Sequence, residues 1–223
     1  PALKVDFSGP TATGGTGHYY PGGLPEIIMY DRILRSGELR KVNSYLAVKY
    51  GITMANGDST YLSSDSTIIW DAAANSIYKY SITGIGRDDI EGLSQKQSRN
   101  SDTTRLRIAI GLQNVAEDNL SNTGSFSSNL SYLVWGDDNG SAGFTTAVTN
   151  NASANYRMSR VWKVQETGVV GTVEVAIPYD VLPNPNQSFL VVSTDAVFDN
   201  LDDVYLPLSQ TTINGKPHWA AKV

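Results

Sequence analysis

Residues 104–112, TRLRIAIGL, alternate apolar and charged side chains with a period of two. Leu106, Ile108 and Ile110 fall on one side and Arg105 and Arg107 on the other, which is the pattern of a strand with one buried face. Residues 172–177, TVEVAI, repeat it with Val173, Val175 and Ile177. On either side of these two runs, short apolar stretches recur through the rest of the chain: STIIW, YSITGIG, LSYLVWG, SRVWKVQET, SFLVVST, DVYLPL and HWAAKV. Clusters of Asn, Gly, Asp and Pro separate them. Many short strands with a turn about every 8–12 residues predict an all-β protein, a sandwich or a barrel.

One helix is expected, at about residues 37–50 within SGELRKVNSYLAVKYG. Ser36 is placed to cap its N-terminus and Glu38 sits in the first turn, facing the positive end of the dipole. Leu39, Val42, Leu46 and Tyr50 share one face at helical spacing, and Gly51 supplies the residue past the C-terminus. Ahead of the helix, Ala2–Phe7 reads as a strand, and a glycine-rich loop comes next with His18, Tyr19 and Tyr20 at its centre. The apolar run LPEIIMYDR then predicts a buried strand at Glu26–Tyr30. The polar segment NLSNTGSFSSNLS, residues 119–131, reads as a surface loop. The helix needs the later strands to cover its apolar face, so residues 1–223 are expected to form a single domain. The abrupt start at PALKVDF and stop at HWAAKV suggest a domain cut from a longer surface protein.

Composition narrows the function. Charged residues make up 17% of the 223, against a usual figure of roughly 25%. The net charge is −5 and no basic stripe is present, so no nucleic-acid partner is expected. There is no Cys, which excludes disulfides, zinc–thiolate sites and thiol catalysis. No apolar run approaches the roughly 20 residues that span a bilayer, so no membrane insertion is expected. The only histidines are His18 and His218, and no nucleophile elbow, HExxH or phosphate loop appears. Glycosidases need two carboxylates across a cleft. The glutamates cannot be paired from spacing, and Glu166 and Glu174 read as outward strand residues. The chain is therefore not expected to be an enzyme.

Acidic turns remain as candidate sites. Calcium takes six to eight oxygens from Asp, Asn and backbone carbonyls in loops. GRDDIEG and WGDDNGS each place two carboxylates directly after a predicted strand, which nominates Asp88, Asp89, Asp137 and Asp138 as metal ligands. NGDS (Asp58) and STDAVFDNLDD (Asp195, Asp199, Asp202, Asp203) are weaker candidates, because Asp and Asn also serve simply as turn formers. Paired carboxylates at a strand end need solvent, a cation or arginine, and Arg87 and Arg99 are the nearby arginines. LSQKQS, read as one strand, puts Gln95 and Gln97 on one face and Ser94, Lys96 and Ser98 on the other. Such amides can read a ligand backbone or hold a neighbouring loop. Arg87, Gln95, Gln97, Ser98, Tyr19 and Tyr20 are thus the candidate ligand-binding residues. Trp135 and Trp162 lie in apolar strands and are expected in the core.

These motifs carry a resemblance. PEIIMYDRILRSGELRKVNSYLAVKYGIT resembles a segment of concanavalin- or laminin-G-like domains of bacterial surface proteins. WDAAANSIYKYSITGIGRDDIEGLSQKQSRN, YLVWGDDNG and SRVWKVQETGVVGTVEVAIP resemble the module that comes after it. Together they cover most of residues 24–195. Such modules occur in giant repeats-in-toxin (RTX) adhesins, where one of them is a calcium-dependent domain gripping the C-terminal end of surface proteins. The resemblance implies a concanavalin/laminin-G-like β-sandwich, calcium as cofactor, and a peptide or protein C-terminus on a target cell as partner. It further implies an extracellular, bacterial cell-surface location and a monomeric isolated domain. A glycan-binding module and a structural spacer of the same fold are the alternatives.

Overall fold

The computed structural model describes residues 25–148, 155–182, 188–195, 197–199 and 202–223. The expected strand Ala2–Phe7 and the residues His18, Tyr19 and Tyr20 lie outside them. The chain divides into two compact units, Pro1–Leu34 and Arg35–Val223. In the first unit, residues 25–30 form no strand, contrary to the expectation for Glu26–Tyr30. An apolar run only marks a segment that tends to be buried, whereas a strand also needs a ladder partner, and no described strand pairs with it.

The second unit begins with α1 (Ser36–Tyr50), then β1 (Tyr61–Leu62), β2 (Ile68–Trp70), β3 (Tyr80–Asp88), β4 (Leu93–Gln95), β5 (Gln97–Arg99), β6 (Ala109–Leu112) and β7 (Ser131–Asp137). It continues with β8 (Thr146–Ala147), β9 (Tyr156–Arg157), β10 (Trp162–Thr167), β11 (Val173–Pro178), β12 (Phe189–Val192), β13 (Val204–Pro207), β14 (Ser209–Ile213) and β15 (Lys216–Lys222). The two large antiparallel sheets have the orders β10-β7-β3-β4 and β14-β15-β11-β6-β5. The fold is an all-β sandwich with one α-helix, as the strand pattern predicts.

The four-stranded sheet is covered on both faces, so every residue of β7 is buried. Leu133 and Trp135 point with Ile85 towards Ile110, Leu112 and Val173 of the other sheet. Tyr132 and Val134 point the opposite way, into a second cluster with Ile82, Tyr45 and Val48 of α1, and Tyr61 and Trp70 of the β1–β2 pair. A strand's period of two sends these neighbours to separate layers. Each fully buried Ile or Val contributes about 1.5–3 kcal/mol relative to exposure. Gly86 exists for this packing: a Cβ there would collide with the Tyr132 ring.

Four sequence expectations shift. Arg35, not Ser36, precedes the first helical turn, and its backbone N–H donates to Glu38 Oε2 at 2.8 Å. The buried face of the helix is Ser44, Tyr45, Ala47 and Val48, while Leu39 is exposed. Leu39, Val42, Leu46 and Tyr50 fit the helical period, but the interior chose the adjoining stripe. The ladder expected over residues 104–112 starts only at Ala109. Its neighbours end there: β5 pairs up to Arg99↔Ala109, and β11 pairs through Ala176↔Ala109 before reaching Pro178, which has no N–H to give. The segment 119–131 is no mere surface loop, since Asn122 and Phe126 are buried. Among the described residues, no helix is long and apolar enough to cross a membrane.

Candidate functional site

Asp88 ends β3 and is fully buried. Its carboxylate accepts from the Tyr132 hydroxyl (2.7 Å), the Ser64 N–H (2.9 Å), the Ser64 hydroxyl (2.8 Å) and the Ile90 N–H (3.2 Å). Burial alone would raise its pKa. The bonds from Tyr132, Ser64 and Ile90 outweigh that and hold it below the usual carboxylate range. Burial and the hydrogen bond to Asp88 push the Tyr132 hydroxyl well up. Asp89 turns outward to a bidentate pair with Arg87, at 2.8 and 2.9 Å, and the guanidinium holds its pKa low. The two aspartates therefore diverge, Asp88 held by its four hydrogen bonds and Asp89 by the Arg87 guanidinium. Arg87, nominated as a ligand reader, is the partner of Asp89 instead.

At the end of neighbouring β7, Asp137 is also fully buried. Its Oδ1 accepts the Asn139 N–H at 2.8 Å, but Oδ2 has no hydrogen-bond partner among the described residues. The nearest cation is Arg160, with Nη1 at 4.0 Å. That guanidinium bonds the carbonyls of Gly140 (2.8 Å) and Leu106 (3.1 Å). Asp138 uses Oδ1 to accept the N–H groups of Gly140 and Val161, at 2.8 and 3.1 Å. Asp137 Oδ2 is thus the buried carboxylate oxygen of this turn left without a hydrogen bond among the described residues. No group of three or more His, Cys, Asp or Glu suited to a metal occurs among the described residues.

LSQKQS is not one strand. β4 belongs to the four-stranded sheet and β5 to the five-stranded sheet, so the chain crosses between them at Lys96. The Lys96 N–H bonds the Asn119 side chain and its carbonyl accepts from Leu112, so the crossing residue is held on both sides. Gln97 grips residue 116 like a strand partner: Oε1 accepts the Ala116 N–H at 2.8 Å and Nε2 donates to its carbonyl at 3.0 Å. Gln95 donates to the Gln97 carbonyl at 2.7 Å, and Ser98 shares a hydrogen bond with Thr83 at 2.7 Å. These residues hold neighbouring structure through the atoms named. All four tryptophans are half-buried or buried, and Tyr179 stacks on Trp219 at 5.3 Å.

Gln95, Gln97 and Ser98 do converge on one feature, a cleft of about 330 Å³ on the outer face of the five-stranded sheet. The register places Arg99, Ala109, Ala176, Ala220 and Ser209 side by side across all five strands. The alanines make a low surface that Val115 and Ile213 partly cover. The loop bearing Val115 lies close because Gly111 has no Cβ to meet Asn114, and Glu174 accepts the Val115 N–H at 2.8 Å. Gly51 brings the end of α1 to the other side. It sits at φ 64° and a Cβ there would lie 2.5 Å from the Arg99 carbonyl.

Five charged or titratable groups line this cleft: Lys49, Tyr50, Arg99, Glu117 and His218. Lys49 donates to the Tyr45 hydroxyl at 2.5 Å. His218 is buried, with Nδ1 3.0 Å from the Lys216 carbonyl, to which it donates. Arg99 and Glu117 are exposed, and neither makes a hydrogen bond or ion pair among the described residues. Burial, then the neighbouring charge of Arg99, hold the Arg107 guanidinium below its ordinary value. Proximity in sequence makes Arg99 a counter-charge for the aspartates. Nothing local reveals that the sheet crossover at Lys96 carries it away from them.

Fold and cleft together define a β-sandwich with a charge-rimmed cleft on one outer face. The family described as "Domain of unknown function (DUF8202)" matches residues 38–221, and the chain belongs to that family. Neither the curated proteins nor the solved structures contain a match.

Proposed function

We propose that this chain is a ligand-binding module of a bacterial surface adhesin that takes the C-terminal end of an extended peptide in the cleft beside β5. The observation that carries the reading is the cleft itself. Its volume of about 330 Å³ lies within the roughly 300–1,000 Å³ of ligand sites. Ala109, Val115, Ala116 and Ile213 give it an apolar part, and its rim holds a guanidinium, that of Arg99, with no carboxylate partner among the described residues. A peptide end fits that chemistry because its last carboxylate is an obligatory anion on a slender chain. A lectin reading would need an exposed aromatic platform, and among the described cleft residues the only aromatic rings are those of Tyr50 and His218.

Calcium in this reading is a stabilising ion at the Asp137–Asn139 turn, away from the cleft residues. The supporting observation is the buried Asp137 Oδ2 without a hydrogen bond among the described residues. Calcium is expected to raise the melting temperature of the chain and to lose that effect in Asp137→Asn. An equal rise in the variant removes calcium from this turn.

The reading is tested by displaying peptides with free C-terminal carboxylates, and the same peptides amidated, to the full chain. Binding of the free-carboxylate series alone is expected. Equal binding of the amidated series, or no binding to either, overturns the peptide-end reading.

A further inference from the structure

The cleft holds two opposite charges that do not use each other. Arg99 projects from the β5 end of the alanine row, and Glu117 belongs to the loop that Gln97 and Glu174 pin onto the same face. Both are exposed and both lack a partner among the described residues. Elsewhere in this unit, opposite charges close in sequence pair up, as Arg87 does with Asp89 at 2.8 Å and Arg105 with Asp102 at 3.2 Å. The Arg99 backbone packs against Gly51, and the Gln97 amide holds the backbone one residue before Glu117.

We infer that the cleft takes a ligand bearing a carboxylate and a cation together, the carboxylate on the Arg99 guanidinium and the cation on the Glu117 carboxylate. This deepens the peptide-end reading and rests on it: the ligand is a chain end whose last residue is lysine or arginine. The guanidinium presents parallel N–H donors that match a carboxylate, which a lone ammonium does not. Glu117 accepts from the ammonium or guanidinium of the last side chain. The aliphatic stem between the two charges lies against the apolar side chains of Val115 and Ala116, which line the same cleft. Lys49, already bonded to Tyr45, makes the Arg99 side of the cleft the more cationic.

The test titrates the full chain with Nα-acetyl-L-lysine, which has both charges and the stem. The two controls are Nα-acetyl-L-lysinamide, without the carboxylate, and Nα-acetyl-L-norleucine, without the ammonium. The readout is the side-chain Nε–Hε resonance of Arg99 and the backbone amides of residues 97–99 and 115–118. Acetyl-lysine is expected to move these signals and to bind about tenfold more tightly than either control, the value of one charge-assisted bond. Arg99→Gln and Glu117→Gln, both at exposed positions, are each expected to weaken it about tenfold with an unchanged melting temperature. Binding of norleucine as tight as lysine removes the cation subsite, and equal binding of the lysinamide removes the carboxylate subsite. Unaltered affinity in either variant, or no movement of the named signals, overturns the assignment. Should acetyl-lysine bind here while no peptide does, the peptide-end reading falls and the paired-charge site stands. Should peptides bind without acetyl-lysine doing so, the reverse holds.

Discussion

The turns at Asp88 and Asp137 look alike in sequence: an Asp-Asp pair directly after an apolar strand, on strands that lie side by side. In both the first aspartate is fully buried. Asp88 receives bonds from Tyr132, Ser64 and Ile90 and ties the β1–β2 layer to the four-stranded sheet. Asp137 receives one backbone N–H and stands 4.0 Å from a guanidinium that is bonded elsewhere. A buried carboxylate is held by the donors that surround it, and those come from distant parts of the chain. The same local motif therefore makes a structural clamp in one place and an incompletely satisfied carboxylate in the other.

Substitutions put the difference between the two turns to the test. Asp88→Ala is expected to cost the most, about 3 kcal/mol, because it leaves the Tyr132 hydroxyl and Ser64 buried without an acceptor. Urea unfolding measures it, and a loss under about 1 kcal/mol would mean that water replaces the carboxylate. Gly51→Ala comes next at about 2 kcal/mol, from a left-handed backbone and a clash with the Arg99 carbonyl. The same denaturant curve reports it, and the amide of Arg99 should shift in the spectrum. Asp137→Ala is expected to cost only about 1 kcal/mol. A loss equal to that of Asp88→Ala would erase the distinction between the turns.

The smallest effect is one of pH, and it pits Asp88 against its neighbour Glu91. Burial first, then the charge of Asp88, push Glu91 up to about 7. A carboxyl whose folded pKa is raised favours folding while protonated, so its contribution is complete below its ordinary value and fades as pH rises through about 7. Asp88, held low, acts oppositely: its contribution is present above the ordinary carboxylate pKa and is lost as acid drives the pH through its folded value. Glu91→Gln should therefore flatten the fall in melting temperature between about pH 5 and 7 while leaving the acid limb in place. An unchanged slope would show that Glu91 is solvated like any surface carboxylate.

Much of the architecture is legible in the sequence. The alternation of Val173, Val175 and Ile177 does mark the inner face of β11, where Val173 is buried and the other two pack against the same cluster. Trp135 lies in the core as its apolar strand implies. The glycine after Tyr50 does end the helix in the left-handed region. The site is less legible. Gln95, Gln97 and Ser98 do line the cleft, yet Arg87 pairs with Asp89, and the cleft charges without partners among the described residues are Arg99 and Glu117. One feature accounts for the difference. LSQKQSR has the polar pattern of a single strand, whereas a step between sheets at Lys96 separates Ser94 and Gln95 from Gln97, Ser98 and Arg99.

The order of the amino acids alone settles the inner face of β11, the place of the helix and the absence of thiol chemistry, because these depend on neighbours along the chain. Three other features were settled only in three dimensions: which stripe of the helix is buried, which of two Asp-Asp turns is saturated, and that the cleft arginine Arg99 has no acid among the described residues. Each of those depends on donors and surfaces brought from far along the chain: Ser64 to Asp88 across 24 positions, and Ala116 to Gln97 across 19. Local spacing carries no record of such meetings, since it is the packing of whole layers that brings them about.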